Sequence, residues 1–142
     1  MNLPAWLIYA FLSAIFASLV AVLGKKGVEH LDSNLATAVR SGIMTMFLVA
    51  FVSARGLWSG AGSIGKTALM WIAISGVAGA VSWLFQFRAL QLAEATKVAP
   101  IDKLSMPIGI VLAVLILGER PSMVNWGGIA LIVIGAYLAT IK

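Results

Sequence analysis

Five apolar stretches, each about as long as a bilayer is thick, occupy almost the whole of this 142-residue chain. A spanning helix takes ~20 mostly apolar residues. The runs fall at about 3–23, 35–54, 68–90, 98–117 and 123–141. In lipid, backbone donors and acceptors must be satisfied within a helix or a closed barrel. A barrel needs segments of about ten alternating residues, and 108–117 does not alternate. The expected fold is an all-α integral membrane protein of five transmembrane helices, one domain over 1–142. The longest connection, 55–67, is too short to hide a soluble domain. An odd number of spans puts the two ends on opposite sides of the membrane. Five helices are also few for a membrane pathway, so a partner chain is expected.

Composition agrees. The chain is 61% hydrophobic and 11% charged, against roughly half and a quarter in an ordinary soluble domain. The absence of cysteine excludes disulfides, a thiol nucleophile and a thiolate metal site. A single histidine, His30, does not make a metal site of the usual kind. The net charge of +5 does not point to nucleic acid, because the basic residues close apolar runs instead of forming a solvated patch. No Ser-His-Asp set, metal spacing or phosphate-binding glycine loop is present, so no enzyme and no cofactor is expected. The first run has no basic residue ahead of it and makes a poor signal peptide.

Lysine and arginine counts set orientation. The side holding the amino end carries Arg55, Lys66 and Arg120. The other side carries Lys25, Lys26, Arg88, Lys97 and Lys142, with Lys103 joining them if it snorkels back. That second side is expected to be cytoplasmic, with the amino end outside the cytoplasmic (inner) membrane. Lys25, Lys26, Arg88 and Lys97 are read as interfacial charges. Trp6, Trp58, Trp71 and Trp126 fall where aromatic belts form. Small residues recur every four positions, as at Gly76 and Ala80, Gly109 and Ala113, and Gly135 and Ala139. Such spacing suits close helix packing, within a subunit or between subunits.

Four polar residues and two neighbours form the candidate site. Arg40 lies about five residues into the second run, ~8 Å deep at 1.5 Å per residue. It either snorkels to headgroups or meets a polar cavity or a carboxylate. Asp102 either sits in a first helical turn opened by Pro100, where the dipole favours it, or partners Arg40 or Arg88. Lys103 follows it directly, and residues 100° apart on a helix pair poorly. Pro107 should kink the fourth helix and push against the carbonyl of Lys103, which a side chain, water or substrate would then have to meet. Trp83 and Gln86 offer an aromatic wall and a hydrogen-bonding group, with core packing the alternative for Trp83.

The carboxyl half carries a recognisable series. Phe87-Arg88-Ala89-Leu90 precedes Ala95 to Pro107, then Leu117-Gly118-Glu119-Arg120-Pro121, then Gly127-Gly128-Ile129-Ala130-Leu131-Ile132 and Gly135. The series resembles the EamA-type domain of the drug/metabolite transporter superfamily. Lys25 and Arg40 match positions where the amino half of that domain tends to carry lysine and arginine. Most members carry two such domains as inverted repeats, and this chain looks like a single-repeat, five-helix bacterial or archaeal member. The smallest relatives exchange protons for cationic drugs through an acid in the first helix. Residues 1–23 contain no acid, which puts that mechanism in doubt.

The resemblance implies a secondary transporter exporting a small metabolite across the cytoplasmic membrane by alternating access. The expected partners are the bilayer, a small-molecule substrate, and a second copy (parallel or antiparallel) or a paralogous chain. Arg40, Trp83, Gln86, Asp102, Lys103 and Pro107 are the candidate substrate-binding residues, with Lys103 attracting an anionic or zwitterionic solute. Two other readings stand beside it: a subunit that flips a lipid-linked sugar, and a non-transporting accessory subunit.

Overall fold

The structure is a computed structural model, described here for residues 4–141. The expected start of the first span at Leu3, and Lys142, lie outside the described residues. The elements among the described residues are all helical: α1 (Ala5–Gly27), α2 (Ser33–Ala54), a 3-10 helix (Leu57–Ser63), α3 (Lys66–Leu92), α4 (Ala95–Asp102), α5 (Ser105–Leu112), a π turn (Ala113–Leu117) and α6 (Met123–Leu138). Four segments are long and apolar enough to cross a membrane: α1, α2, α3 and the composite Ala95–Leu117. The fifth apolar helix, α6, has 16 residues and rises ~24 Å, short of a hydrocarbon core of ~30 Å. Large apolar side chains point outward along these helices, Phe16, Phe47 and Phe85 among them. In water such a surface would aggregate; in lipid it is the solvated face.

The described residues divide into two compact units, one of residues 23–91 and one of residues 4–22 with 92–141. In the first, the last turn of α1, the start of α2 and the end of α3 meet. Val28, in the α1–α2 connection, and Leu90, near the end of α3, are fully buried there. Asp32 caps α2 by accepting from the amides of Asn34 (2.9 Å) and Leu35 (3.0 Å), which satisfies two of the orphan donors of a helix start. The Gln91 side chain donates to the Leu31 carbonyl at 2.9 Å and ties α3 to the same connection. α1 runs four residues past the expected stop at 23, through Lys25 and Lys26. Cations in a last turn complement the helix dipole, so they extend the helix instead of ending it. The Gly/Ser-rich connection after α2 is also more ordered than its composition suggests. Gly56, at a left-handed φ of 63°, turns the chain into the 3-10 helix, and Trp58 Nε1 donates to Ser53 Oγ at 2.9 Å.

In the second unit, α4 and α5 both pack on α6, with Pro107, Ile129 and Ala136 buried. The π turn ends at Gly118, φ 71°, where the Glu119 amide reaches back to the Ala113 carbonyl at 3.4 Å. A closing bond around a left-handed glycine is how a helix satisfies its last carbonyls, here one residue wider than in an α-helix because the last turn is π. This gives the glycine of Leu117-Gly118-Glu119-Arg120 its physical reason. Ser122 Oγ then caps α6 through the Asn125 amide at 3.3 Å.

Three expectations are corrected in this unit. The fourth span begins at Ala95, not 98, so Pro100 lies in the second turn and Asp102 is the last residue of α4. The dipole at that end does not favour a carboxylate. Next, the helix breaks at Lys103-Leu104, four residues before Pro107. That is where the proline ring would strike the i−4 carbonyl. The Lys103 carbonyl is met by the Met106 amide at 3.1 Å, and Leu104 N bonds Ile101 O at 3.0 Å. The backbone itself absorbs the break, with no side chain or solute required. Finally, Asp102 and Lys103 do pair, Nζ to Oδ2 at 3.5 Å. The 100° separation of neighbours holds only inside a regular helix, and Lys103 sits at its end.

The small-residue pattern behaves differently from a packing seam. No described atom lies within 4 Å of where a Cβ on Gly76, Gly109 or Gly135 would sit. Gly24 is the contrast: a Cβ there would stand 3.3 Å from Phe87 Cζ and 3.7 Å from Leu90 Cδ1, so its hydrogen admits the close approach of α1 to α3.

Candidate functional site

The unit of residues 23–91 gathers its chemistry along one face of α3. Trp83, Phe87 and Leu90 follow each other at i, i+4 and i+7, so they share a stripe. Trp83 is half-buried, Phe87 and Leu90 buried. The two rings meet edge to face, centroids 5.9 Å apart and planes inclined by 63°. Such an arrangement sets the positive edge of one ring against the negative face of the other.

Arg40 lies on this wall. It is the eighth residue of α2, roughly 10 Å from the helix start at 1.5 Å per residue. Its guanidinium carbon stands 3.6 Å from the Trp83 centroid and 5.7 Å from that of Phe87. The contact with the two rings is in neither reading of Arg40 from sequence, headgroups on one hand and a polar cavity or a carboxylate on the other. A cation over a desolvated indole gains about 2 kcal/mol. A charge inside a span costs at least ~2.5 kcal/mol, so the stack offsets much of that cost but supplies no counterion. Nη1 of Arg40 is shielded from solvent and has no hydrogen-bond partner among the described residues. An unmet charged donor in such a place is expensive, and a bound group that accepts from it would remove the penalty.

Next to the arginine, α2 carries a feature that the sequence reading missed. Thr37 Oγ1 donates to Ser33 O (2.7 Å), Ser41 Oγ to Thr37 O (2.8 Å) and Thr45 Oγ1 to Ser41 O (2.9 Å). The four hydroxyl residues recur every four positions, and the hydroxyls of Thr37, Ser41 and Thr45 are spent on their own helix. Ser33 and Thr37 are buried. The spacing 33, 37, 41, 45 was the available signal.

Lys25 is more than an interfacial charge. Its ammonium donates to the Leu90 carbonyl at 2.6 Å and is partly buried. That carbonyl belongs to the last turn of α3, where the dipole favours a cation. Lys26 is exposed. Arg88 is also exposed, and Nη1 donates to Gln91 Oε1 at 2.6 Å; it faces, with Asp32, Ser33, Asn34, Val81, Leu84 and Phe85, an open cavity of about 550 Å³. Gln86, half-buried, makes no side-chain hydrogen bond among the described residues. Its amide stays available within one turn of Trp83.

Asp102, Lys103 and Pro107 belong to the other unit. Asp102 and Lys103 are paired there as described, Pro107 is buried, and Lys97 meets Glu94 at 3.7 Å. A groove of about 650 Å³ between α5 and α6 is lined by Met106, Ile110, Ile129 and Ile132, with Glu119, Arg120 and Asn125 among its polar residues. No group of three or more His, Cys, Asp or Glu able to hold a metal occurs among the described residues.

Residues 4–141 match the EamA-like transporter family. The chain is 41% identical over 137 residues to a protein from Sinorhizobium sp described as an uncharacterized transporter in the cobO 3' region, covering 96% of this chain and 97% of that one. No solved structure matches the chain.

Proposed function

The chain belongs to the EamA-like transporter family, and from that premise we propose that it exports a small metabolite by alternating access, with Arg40 as the polar contact on the solute's path. It is a multi-pass membrane protein, with four helical segments among the described residues long and apolar enough to cross a membrane. One observation carries the proposal: the Arg40 guanidinium stacked on Trp83 with Nη1 shielded and unpartnered. An unpaired intramembrane charge marks a substrate or ion pathway by default. Trp83 holds the guanidinium, Gln86 adds a neutral hydrogen-bonding group, and the Asp102–Lys103 pair with Pro107 gives the other unit a charged, broken helix of the kind transporters use near their sites.

The working form we propose is a dimer of this chain or a pair with a paralogue, in the cytoplasmic membrane, amino end outside. The lysine and arginine bias supports that orientation. The open faces at Gly76, Gly109 and Gly135 support close approach by another chain.

The test is metabolite export from cells overproducing the protein. Wild type should raise extracellular levels of one solute class and confer resistance to its toxic analogues. Arg40→Gln should abolish both at unchanged membrane abundance. Full export by both Arg40→Gln and Trp83→Leu would contradict the proposal.

A further inference from the structure

We propose that Arg40 is the receptor for a singly charged oxyanion, and that the solute presents it as a carboxylate. This rests on the transporter reading above and names the chemistry of the same site. The face of the guanidinium is taken: Trp83 covers it at 3.6 Å. Its N–H bonds lie in the guanidinium plane, so an acceptor must approach edge-on; Nη1 is unmet but covered by protein here, so the acceptor reaches it only when this edge opens during alternating access. A carboxylate offers two oxygens in one plane and fits that edge.

Among the described residues no carboxylate pairs with Arg40. The ion pairs among the described residues are Lys97–Glu94 and Lys103–Asp102, both outside this unit. Asp32 spends Oδ1 on the amides of Asn34 and Leu35. The neighbouring hydroxyls of Thr37, Ser41 and Thr45 donate to their own helix, so they bring no further donors for extra anionic oxygens. Recognition therefore falls on one cation. A dianion would leave a charge uncompensated against an indole and a buried phenyl ring, where desolvation is costly. A monoanion with an apolar or planar body matches both the charge and the wall.

The experiment uses the purified full chain in phosphatidylcholine nanodiscs at fixed chloride, titrated with sodium benzoate and, separately, with its neutral isostere benzamide. Benzoate should bind and benzamide should bind at least tenfold more weakly. Arg40→Gln should abolish benzoate binding, and Arg40→Lys should weaken it about tenfold, since an ammonium keeps the charge but loses the planar fork. Because the benzoate–benzamide comparison is made on wild type, it does not depend on a variant folding. Equal binding of the two, or full benzoate affinity in a folded Arg40→Gln, overturns the inference.

Repeating the titration in phosphatidylglycerol nanodiscs separates the sources of the oxyanion. Unchanged benzoate affinity assigns the site to a solute carboxylate, as proposed. Competition by the lipid overturns that assignment and gives the site to a headgroup phosphodiester. Arg40-dependent benzoate binding without any transport would sink the transporter reading alone. Transport without Arg40-dependent binding would sink this inference alone.

Discussion

Arg40 and Trp83 are stacked, the guanidinium carbon 3.6 Å from the ring centroid, and the pair joins α2 to α3 within one unit. The contact holds a charge in an apolar place by its face, while Nη1 on its edge stays covered and without a hydrogen-bond partner among the described residues. Trp83→Phe should therefore keep most export activity and Trp83→Leu should lose about 5- to 30-fold, the equivalent of ~1–2 kcal/mol of cation–π interaction. Rates from cells with matched membrane abundance give the comparison. The effects of Arg40→Lys and Trp83→Leu should be less than additive, since each breaks the same contact.

Gly24 sets how closely α1 approaches α3, with Phe87 Cζ 3.3 Å from any Cβ placed there. Gly24→Ala should cost little, because the ring edge has only tenths of an ångström to yield. Gly24→Leu should destabilise by about 1–3 kcal/mol through overpacking. Thermal unfolding in detergent, followed by circular dichroism, measures both.

Lys25 covers the Leu90 carbonyl at 2.6 Å. Lys25→Met keeps the length of the side chain and removes the donor. Stability should fall by about 1–3 kcal/mol for the carbonyl left bare, and amide exchange in the last turn of α3 should rise first. Unchanged protection at Leu90 to Leu92 would show that the lysine only faces headgroups.

Pro107→Ala restores an amide that can reach the Lys103 carbonyl, which the Met106 amide now satisfies at 3.1 Å. The two short helices α4 and α5 should join into one, raising thermal stability and slowing export. Spin-label distances between sites in 95–99 and 108–112 should lengthen. If they stay the same, the break has a cause other than the proline.

Much of this was legible in the sequence. Five apolar runs give the helices, because lipid leaves a backbone no other economical choice. Arg40 and Trp83 were identifiable separately, one as a charge in a span and one as an aromatic in another. Their contact was not, since it depends on helix rotation that no single span encodes. Helix ends were the least legible. Lys25 and Lys26 looked like a stop and proved to be the last turn of α1. Asp102 and Lys103 looked unable to pair until the helix that would separate them ended between α4 and α5. Phe87 stands in the sequence only as part of a motif, yet it meets Trp83 edge to face and lies close against Gly24. The hydroxyl series from Ser33 to Thr45 was missed because serine and threonine in a span are easily read as neutral filler.

The central claim is that Arg40 is the solute's contact and not an anchor in the headgroups. Efflux of a radiolabelled monocarboxylate, benzoate, from preloaded proteoliposomes tests it most directly, comparing wild type, Arg40→Lys and Arg40→Gln inserted in equal amounts. Efflux should be Arg40-dependent, falling about tenfold with lysine and to the protein-free rate with glutamine. Wild-type efflux from the glutamine variant would contradict it.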